Sequence, residues 1–150
     1  ILEFLEALLD RIDGYGGACS RALIDGDFLK NYNDTLGHVA GDRVLRSLAD
    51  VLRDELRVSD IAARYGGEEF SVIMVNSNRT EAGEAAERLR ETIQRYPFPN
   101  EDIQPRGDLT VSIGIASYPQ DADSYEELVG AADEALYEAK RRGKNQVRAA

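Results

Sequence analysis

The chain has 150 residues and a formal net charge of −10, because 28 Asp and Glu residues outnumber 18 Lys and Arg residues. This length fits one domain, and a hydrophobic share of 43% is too high for a disordered chain. The acidity argues against a general surface for duplex nucleic acid, and no apolar run approaches the roughly 20 residues that a membrane span needs.

The first third of the chain alternates helical and extended patterns. Leucines at helical spacing predict a helix over residues 1–13, which the glycines that follow it end. An apolar strand is predicted over residues 18–24, and it runs directly into Asp25-Gly26-Asp27. A short helix follows over residues 28–36. A longer helix opens at Gly41-Asp42 and carries an apolar stripe as far as Leu56.

The rest of the chain predicts a hairpin and then two helix–strand units. Gly66-Gly67 joins the two strands of the hairpin, because a two-residue primed turn needs a positive φ that glycine supplies without strain. The two hairpin strands are predicted over residues 60–65 and 69–75. A helix follows from a capping box of Asn78 with Glu81 to about Arg95, and then a strand over 109–116. A second capping box, of Ser124 with Glu127, begins a helix that runs to about 142, and a last strand is predicted over 146–148.

This order of elements contains a βαββαβ centre. We therefore predict an α+β fold with a ferredoxin-like βαββαβ core, extra helices and one extra strand. The central sheet is expected to be antiparallel and to be covered by helices on one face.

The chain has one cysteine and one histidine, which limits the chemistry it can perform. Cys19 alone excludes an internal disulfide, and His38 alone excludes a multi-histidine metal site. We expect a buried Cys19 and a turn position for His38. The chain begins at Ile1 without an initiator methionine or a visible signal peptide. We therefore expect residues 1–150 to be one domain in an N-terminally truncated, cytoplasmic fragment, with any membrane anchor elsewhere in the parent protein.

Two pairs of carboxylates lie where neighbouring strands would bring them together. Asp25 and Asp27 follow the first strand, and Glu68 and Glu69 follow the glycine turn of the hairpin. Mg²⁺ typically binds one or two carboxylates together with substrate phosphates. The pattern indicates a metal site for phosphoryl or nucleotidyl transfer. The alternative is that these are solvated carboxylates in turns.

The segment 25–42 also has groups that suit a nucleotide. The helix N-terminus near Phe28 offers free backbone N–H groups to a phosphate. Asn33 and Asp42 offer a donor and acceptors that match guanine. In the alternative, Asp42 is a helix N-cap and Asn33 a turn or helix-end residue. Lys140 and Lys144 flank the end of the last helix, where they either bind a triphosphate or complement the helix dipole.

Three separated motifs make the chain similar to the GGDEF family of diguanylate cyclases. The sequence R-Y-G-G-E-E-F at residues 64–70 matches the family signature, and residues 131–145 match its A-D-x-A-L-Y-x-A-K tail. Residues 25–42 match D-x-D-x-F-K-x-x-N-D-x-x-G-H-x-x-G-D, with Leu29 at the aromatic position. Gly26 departs from the usual aliphatic residue, and the D-x-L-T segment before the first helix is absent. The match covers nearly the whole chain and implies a nucleotide-cyclase-like fold.

The resemblance implies a role for each candidate residue. Asp25 and Glu68 would bind Mg²⁺, with Mn²⁺ as the alternative ion, helped by the backbone carbonyl of Gly26. Glu68 is also the candidate for activating the 3′-hydroxyl, and Glu69 would support the site. Asn33 and Asp42 would bind the guanine of GTP. The phosphates would be bound by the backbone N–H groups of Phe28 and Leu29 and by the side chains of Lys30, Lys140 and Lys144.

The resemblance also implies the reaction and its partners. Two domains, each with one GTP, would face each other as a homodimer and form cyclic di-GMP, under the control of an upstream sensor domain. Arg57 and Asp60 form an R-x-x-D pattern that resembles the family's inhibitory product site, with Arg88 as a second arginine. We expect Arg57 and Asp60 to be exposed neighbours. The alternatives are a surface ion pair at this pattern and a catalytically weak module that binds GTP or cyclic di-GMP.

Overall fold

The computed structural model describes residues 1–150 as five α-helices, one 3₁₀ helix and five strands. The helices are α1 (Leu2–Tyr15), α2 (Leu29–Leu36), α3 (His38–Glu55), α4 (Arg79–Arg95) and α5 (Tyr125–Arg141), with the 3₁₀ helix at Glu101–Ile103. The strands are β1 (Cys19–Gly26), β2 (Ile61–Arg64), β3 (Glu69–Val75), β4 (Val111–Tyr118) and β5 (Val147–Ala149). None of the helices is both long enough and apolar enough to cross a bilayer.

The five strands form one sheet in the order β2-β3-β1-β4-β5. The first four strands pair antiparallel, and β5 pairs parallel to β4. The β2–β3 hairpin lies beside β1, so β3 separates β1 from β2, as the split βαβ plan requires. The prediction of an α+β, ferredoxin-like core with one extra strand is confirmed.

Helices cover both faces of the sheet, so the prediction of helices on one face is wrong for the domain as a whole. Ala22 and Ile24 of β1 belong to the larger core cluster, together with residues of α2, α3 and α4. Cys19 and Ile73 belong to a second cluster with α1 and α5 on the opposite face. Every residue of β1 except Asp25 is buried, because β1 lies in the middle of the sheet with helices on both sides.

Gly114 allows α5 to pack on this second face. A Cβ atom at Gly114 would lie 2.2 Å from the backbone nitrogen of Leu136 and 2.5 Å from the carbonyl oxygen of Ala132. The strand β4 and the helix α5 therefore approach each other backbone to backbone at this point. This close approach fixes the height of α5 above the sheet and, with it, the position of the last turn of the helix.

One helix begins earlier than predicted, and one predicted capping box forms only in part. Helix α3 begins at His38 and not at Gly41-Asp42, because Gly37 has φ of 90° and ends α2 immediately before it. The capping box at Asn78 is confirmed, with both reciprocal hydrogen bonds present. At α5 only half of the predicted box forms: the Ser124 hydroxyl accepts from the backbone N–H of Glu127, while the Glu127 carboxylate accepts from the N–H of Asp123.

Candidate active site

The carboxylates predicted to converge lie at one end of β1 and at the tip of the neighbouring hairpin. Asp25 is directly opposite Glu69 in the β1–β3 pair, and Glu68 precedes Glu69 at the tip. The pKa of Asp25 is raised from 3.8 to about 6, chiefly by burial. Lys140 lowers this pKa, whereas Glu69 and Glu68 contribute to raising it. Three acidic side chains therefore influence one another at this site, which concentrates negative charge there.

Lys140, in the last turn of α5, lies among the oxygen atoms of this segment. Its Nζ atom is 3.0 Å from Oδ1 of Asp27, 3.1 Å from the carbonyl oxygen of Gly26 and 3.6 Å from Oδ1 of Asp25. Lys140 thus contacts two of the groups that the sequence assigns to a metal, the Asp25 carboxylate and the Gly26 carbonyl. In this arrangement it neutralises part of the acidic cluster from the α5 side.

Asp27 organises the site, although its sequence position marked it only as a member of an acidic pair. Its carboxylate is fully buried and accepts hydrogen bonds from the hydroxyls of Thr110 and Ser112, each at 2.7 Å, and from the backbone N–H of Asn145 at 2.9 Å. With Lys140, these bonds connect β1, β4 and the segment after α5. The signal in the sequence was the second carboxylate of the D-x-D pattern.

The groups expected to bind phosphates surround the same place. Phe28 adopts the left-handed conformation at φ 56° and precedes the first residue of α2. Lys144 places its Nζ atom 3.9 Å from the centre of the Phe28 ring. A cavity of about 430 Å³ brings together eight of the predicted residues: Asp25, Gly26, Phe28, Leu29, Lys30, Glu68, Lys140 and Lys144.

The Leu29 side chain packs closely against Gly26. A Cβ atom at Gly26 would lie 2.3 Å from Cδ1 of Leu29, so the Leu29 side chain fills the place of the aliphatic side chain usual in the family. The Gly26 carbonyl stays at the cavity wall.

Asn33 and Asp42 do not line this cavity. Oδ1 of Asn33 is buried without a hydrogen-bond partner, beside Gly41, where a Cβ atom would lie only 1.7 Å from it. Asp42 is exposed in the second turn of α3 and lines a separate groove of about 700 Å³ with Leu45 and Arg46. Because α3 begins at His38, the alternative of Asp42 as an N-cap is wrong.

Arg57 and Asp60 are neighbours, as predicted, but the prediction that both are exposed is wrong for Asp60. The pair lies at 3.3 Å, and its side chains are 52% and 5% exposed respectively. Asp60 is buried because it also accepts from the backbone N–H of Val75, and Arg57 donates to the carbonyl of Val75 at 2.8 Å. Arg88 makes an ion pair with Glu55 at 3.5 Å and none with Asp60.

The donor chemistry of the cavity fits a hard divalent cation. No three His, Cys, Asp or Glu side chains are grouped closely enough to hold a metal by themselves. Asp25, Glu68 and the Gly26 carbonyl offer only oxygen donors, and Mg²⁺ commonly takes one or two carboxylates and completes its shell with substrate phosphates. The lysines beside these oxygens match the anionic substrate that such an ion accompanies.

Comparison with known proteins identifies the family of the chain. The family model "Diguanylate cyclase, GGDEF domain" matches residues 1–146. Diguanylate cyclase A of Treponema denticola is 43% identical over 125 residues, 83% of this chain and 33% of that protein. Response regulator PleD of Caulobacter vibrioides is 41% identical over 143 residues, 95% of this chain and 32% of that protein. The chain thus spans about a third of the length of these relatives.

Solved structures give the same result for the fold. The active GGEEF domain of a diguanylate cyclase from Vibrio cholerae superposes with a TM-score of 0.90 at 28% identity, covering 99% of this chain and 92% of that one. The GGDEF domain of DgcB from Caulobacter crescentus, in complex with c-di-GMP, superposes with a TM-score of 0.87 at 32% identity, covering 98% and 86%. The chain therefore belongs to the GGDEF family of diguanylate cyclase domains.

Proposed function

We propose that this domain condenses two molecules of GTP into cyclic di-GMP and two pyrophosphates, with Mg²⁺, or Mn²⁺ in its place. The observation that carries the proposal is the shared cavity, which combines Asp25 and Glu68 with the cations of Lys140 and Lys144. Carboxylates that hold a divalent ion and lysines that hold phosphates are the two parts that nucleotidyl transfer requires. The solved relative DgcB was crystallised with c-di-GMP, the expected product.

Each residue of the cavity has a task in this reaction. Asp25, Glu68 and the Gly26 carbonyl would hold the ion, which when bound would stabilise negative charge on the transferring phosphate. Lys30, Lys140, Lys144 and the N-terminus of α2 bind the phosphates of GTP. The 3′-oxygen of one nucleotide bonds to the α-phosphorus of the other, the bond to the bridging oxygen breaks, and pyrophosphate leaves. The Glu68 carboxylate takes the proton from the 3′-hydroxyl. The 3′-hydroxyl of the second nucleotide then attacks the α-phosphorus of the first in the same way, and a second pyrophosphate leaves.

Guanine recognition is assigned to Asn33 and Asp42. The free Oδ1 of Asn33 supplies an acceptor that no protein group occupies, and Asp42 supplies a carboxylate on the neighbouring helix. Replacing Asp42 by Ala should reduce the preference for GTP over ATP in a competition assay, because a site built to accept from guanine N–H groups discriminates against analogues that lack them. Equal competition by ATP in the unmutated domain would contradict the assignment.

The Glu68→Gln variant tests the catalytic assignment. It keeps the shape of the side chain and removes its charge, so formation of cyclic di-GMP from GTP and Mg²⁺ should fall by about 100-fold or more. Glu126→Gln, on the exposed first turn of α5, is the matched control and should keep full activity. A near-normal rate for Glu68→Gln would refute the assignment. An unmutated domain that binds GTP or cyclic di-GMP without turnover would instead be the catalytically weak module.

Catalysis is assigned to a homodimer of domains, because each 3′-hydroxyl attacks a nucleotide held by the other copy. The rate per domain should therefore rise with protein concentration until the dimer saturates. A rate per domain that is constant across the monomeric range, as measured by ultracentrifugation, would contradict a two-domain mechanism. We also place the domain in the cytoplasm, under an upstream sensor domain.

Product feedback is assigned to Arg57 and Asp60, with Arg88 as a second contact. Arg57 is half-exposed, and a guanidinium can pair bidentately with guanine or with a phosphate. Calorimetry should show that Arg57→Ala binds cyclic di-GMP about tenfold more weakly, which corresponds to the loss of one good bidentate contact. Equal product affinity with and without Arg57 would leave only a structural ion pair.

A further inference from the structure

Arg21 is a charged residue at the centre of the sheet. It lies in β1 with its side chain on the face that also carries Asp25, and it is 0% exposed, the largest fully buried side chain in the domain. A buried guanidinium is costly unless its partners compensate for the lost water, and an apolar residue of similar volume is often as stable or more stable at such a position. The presence of Arg21 therefore calls for an explanation beyond packing.

The partners of Arg21 come from the hairpin and from α5. Its Nε atom donates to Oγ of Ser71 in β3 at 3.2 Å, and Nη1 donates to the carbonyl of Val129 in α5 at 3.4 Å. Asp133 lies 3.7 Å away but is 48% exposed. Nη2 has no hydrogen-bond partner. The charge is thus only partly neutralised.

The guanidinium also contacts the hairpin that carries Glu68 and Glu69, next to its glycine turn. Its central carbon lies 5.0 Å from the centre of the Tyr65 ring, within the range of a cation–π contact. Tyr65 immediately precedes the glycine turn, and its backbone N–H donates to the carbonyl of Glu69 at 2.8 Å. A displacement of Tyr65 is therefore transmitted to the backbone of Glu69 and, through the turn, to Glu68.

A second arginine holds the turn itself. Arg64 donates from Nε to the carbonyl of Gly66 at 3.2 Å and from Nη2 to the carbonyl of Gly67 at 2.6 Å. Its strand neighbour Phe70 belongs to the core cluster on the opposite face of the sheet from Arg21. Both arginines therefore hold the hairpin near its tip, Arg64 through the carbonyls of the turn and Arg21 through the ring of Tyr65.

We propose that Arg21 is a positioning residue, which fixes the hairpin that carries Glu68 and Glu69 relative to α5, the helix that carries Lys140. It does so by joining Tyr65 and Ser71 on one side to Val129 and Asp133 on the other. This inference rests on the proposed function for its catalytic consequence. Its structural content, a hairpin fixed against α5, can be measured independently of turnover.

The test uses Arg21→Met, which keeps the length of the side chain, and Tyr65→Leu, which removes the ring at a partly exposed position. Amide hydrogen exchange of residues 65–69 should become about tenfold faster in both variants, while exchange in α3 stays unchanged. The turnover number should fall by about tenfold or more, because small displacements of catalytic groups are costly. The KM for GTP should change little, since Arg21 touches no group assigned to guanine or phosphate.

Two comparisons separate positioning from a general loss of stability. Tyr65→Phe keeps the ring and should behave as the unmutated domain, and the double variant Arg21→Met with Tyr65→Leu should be no worse than the more affected single variant, because both remove one contact. Unchanged hairpin exchange in Arg21→Met, or additive effects in the double variant, would overturn the proposal. If the unmutated domain makes no cyclic di-GMP, the proposed function fails, and the exchange measurements still decide the role of Arg21.

Discussion

Replacing Gly114 by Ala should push α5 away from the sheet. The added Cβ atom would lie 2.2 Å from the backbone nitrogen of Leu136, whereas ordinary contacts begin at 3.4 Å, so the helix or the strand must move by roughly 1.2 Å. All three nearest atoms belong to the backbone of α5, so no change of side-chain rotamer can relieve the contact.

The cost follows from this geometry. Overpacking of a well-packed core typically costs about 1–3 kcal/mol, and a backbone clash belongs at the upper end of that range. We therefore expect the free energy of unfolding to fall by about 3 kcal/mol and Tm to fall by about 9 °C. Lys140 lies one turn beyond Leu136, and its contacts at 3.0 and 3.1 Å would be lost in a shift of this size, so turnover should fall as well.

Urea denaturation followed by circular dichroism measures this effect, with Gly83→Ala as the matched control. Gly83 lies inside α4 over the other face of β4, and a Cβ atom there would make an ordinary contact at 3.8 Å with Ile115. Alanine is the better helix former, so Gly83→Ala should raise the free energy of unfolding by about 0.5–1 kcal/mol. Equal stability of Gly114→Ala and the unmutated domain would refute the close-packing argument.

Three further changes test single contacts. The Tyr118 hydroxyl donates to Asp13, and this hydrogen bond is the largest cause that raises the pKa of Tyr118 from 10.0 to about 12. Tyr118→Phe should therefore lower the free energy of unfolding by about 1 kcal/mol. In parallel urea titrations, this difference between the variant and the unmutated domain should be complete below pH 10 and vanish as the pH rises towards 12. Asn78→Ala removes the N-cap of α4 and should cost about 1 kcal/mol in urea denaturation, with no change in turnover. Asp27→Asn releases Lys140 and should cost about 2 kcal/mol, read in the same assay, together with a loss of activity.

The βαββαβ core could be predicted because each element carries its own local signal. The glycine pair marks the hairpin, and the stop of α4 before Pro97 is confirmed at Arg95. The helices α1 and α5 on the second face of the sheet could not be predicted in this way, because the alternating apolar pattern of β4 predicts only one buried face. Gly114 shows why the pattern fails there: the face that lacks large apolar side chains packs against the backbone of α5.

Sequence motifs predicted the residues of the candidate site that lie within them, and they did not predict contacts between distant segments. Asp25 follows a predicted strand and Glu68 a predicted turn, so their proximity was expected on the condition that the strands are neighbours, and the β1–β3 pair meets that condition. The role of Asp27 as a buried acceptor depends on Thr110 and Ser112, 83 and 85 residues away, and a local pattern cannot reveal it. Arg21 gave no signal, because a single charge in an apolar strand is explained only by neighbours from two other elements.

The lengths of the strands decrease from the centre of the sheet to its edges. The inner strands β1 and β4 have eight residues each, whereas the edge strands β2 and β5 have four and three. Exposed backbone donors and acceptors at a long, flat edge would pair with a second copy and start aggregation, and short edge strands are one way in which proteins avoid this. The face-to-face pair of domains proposed above would therefore not be drawn into one continuous sheet through these short edges.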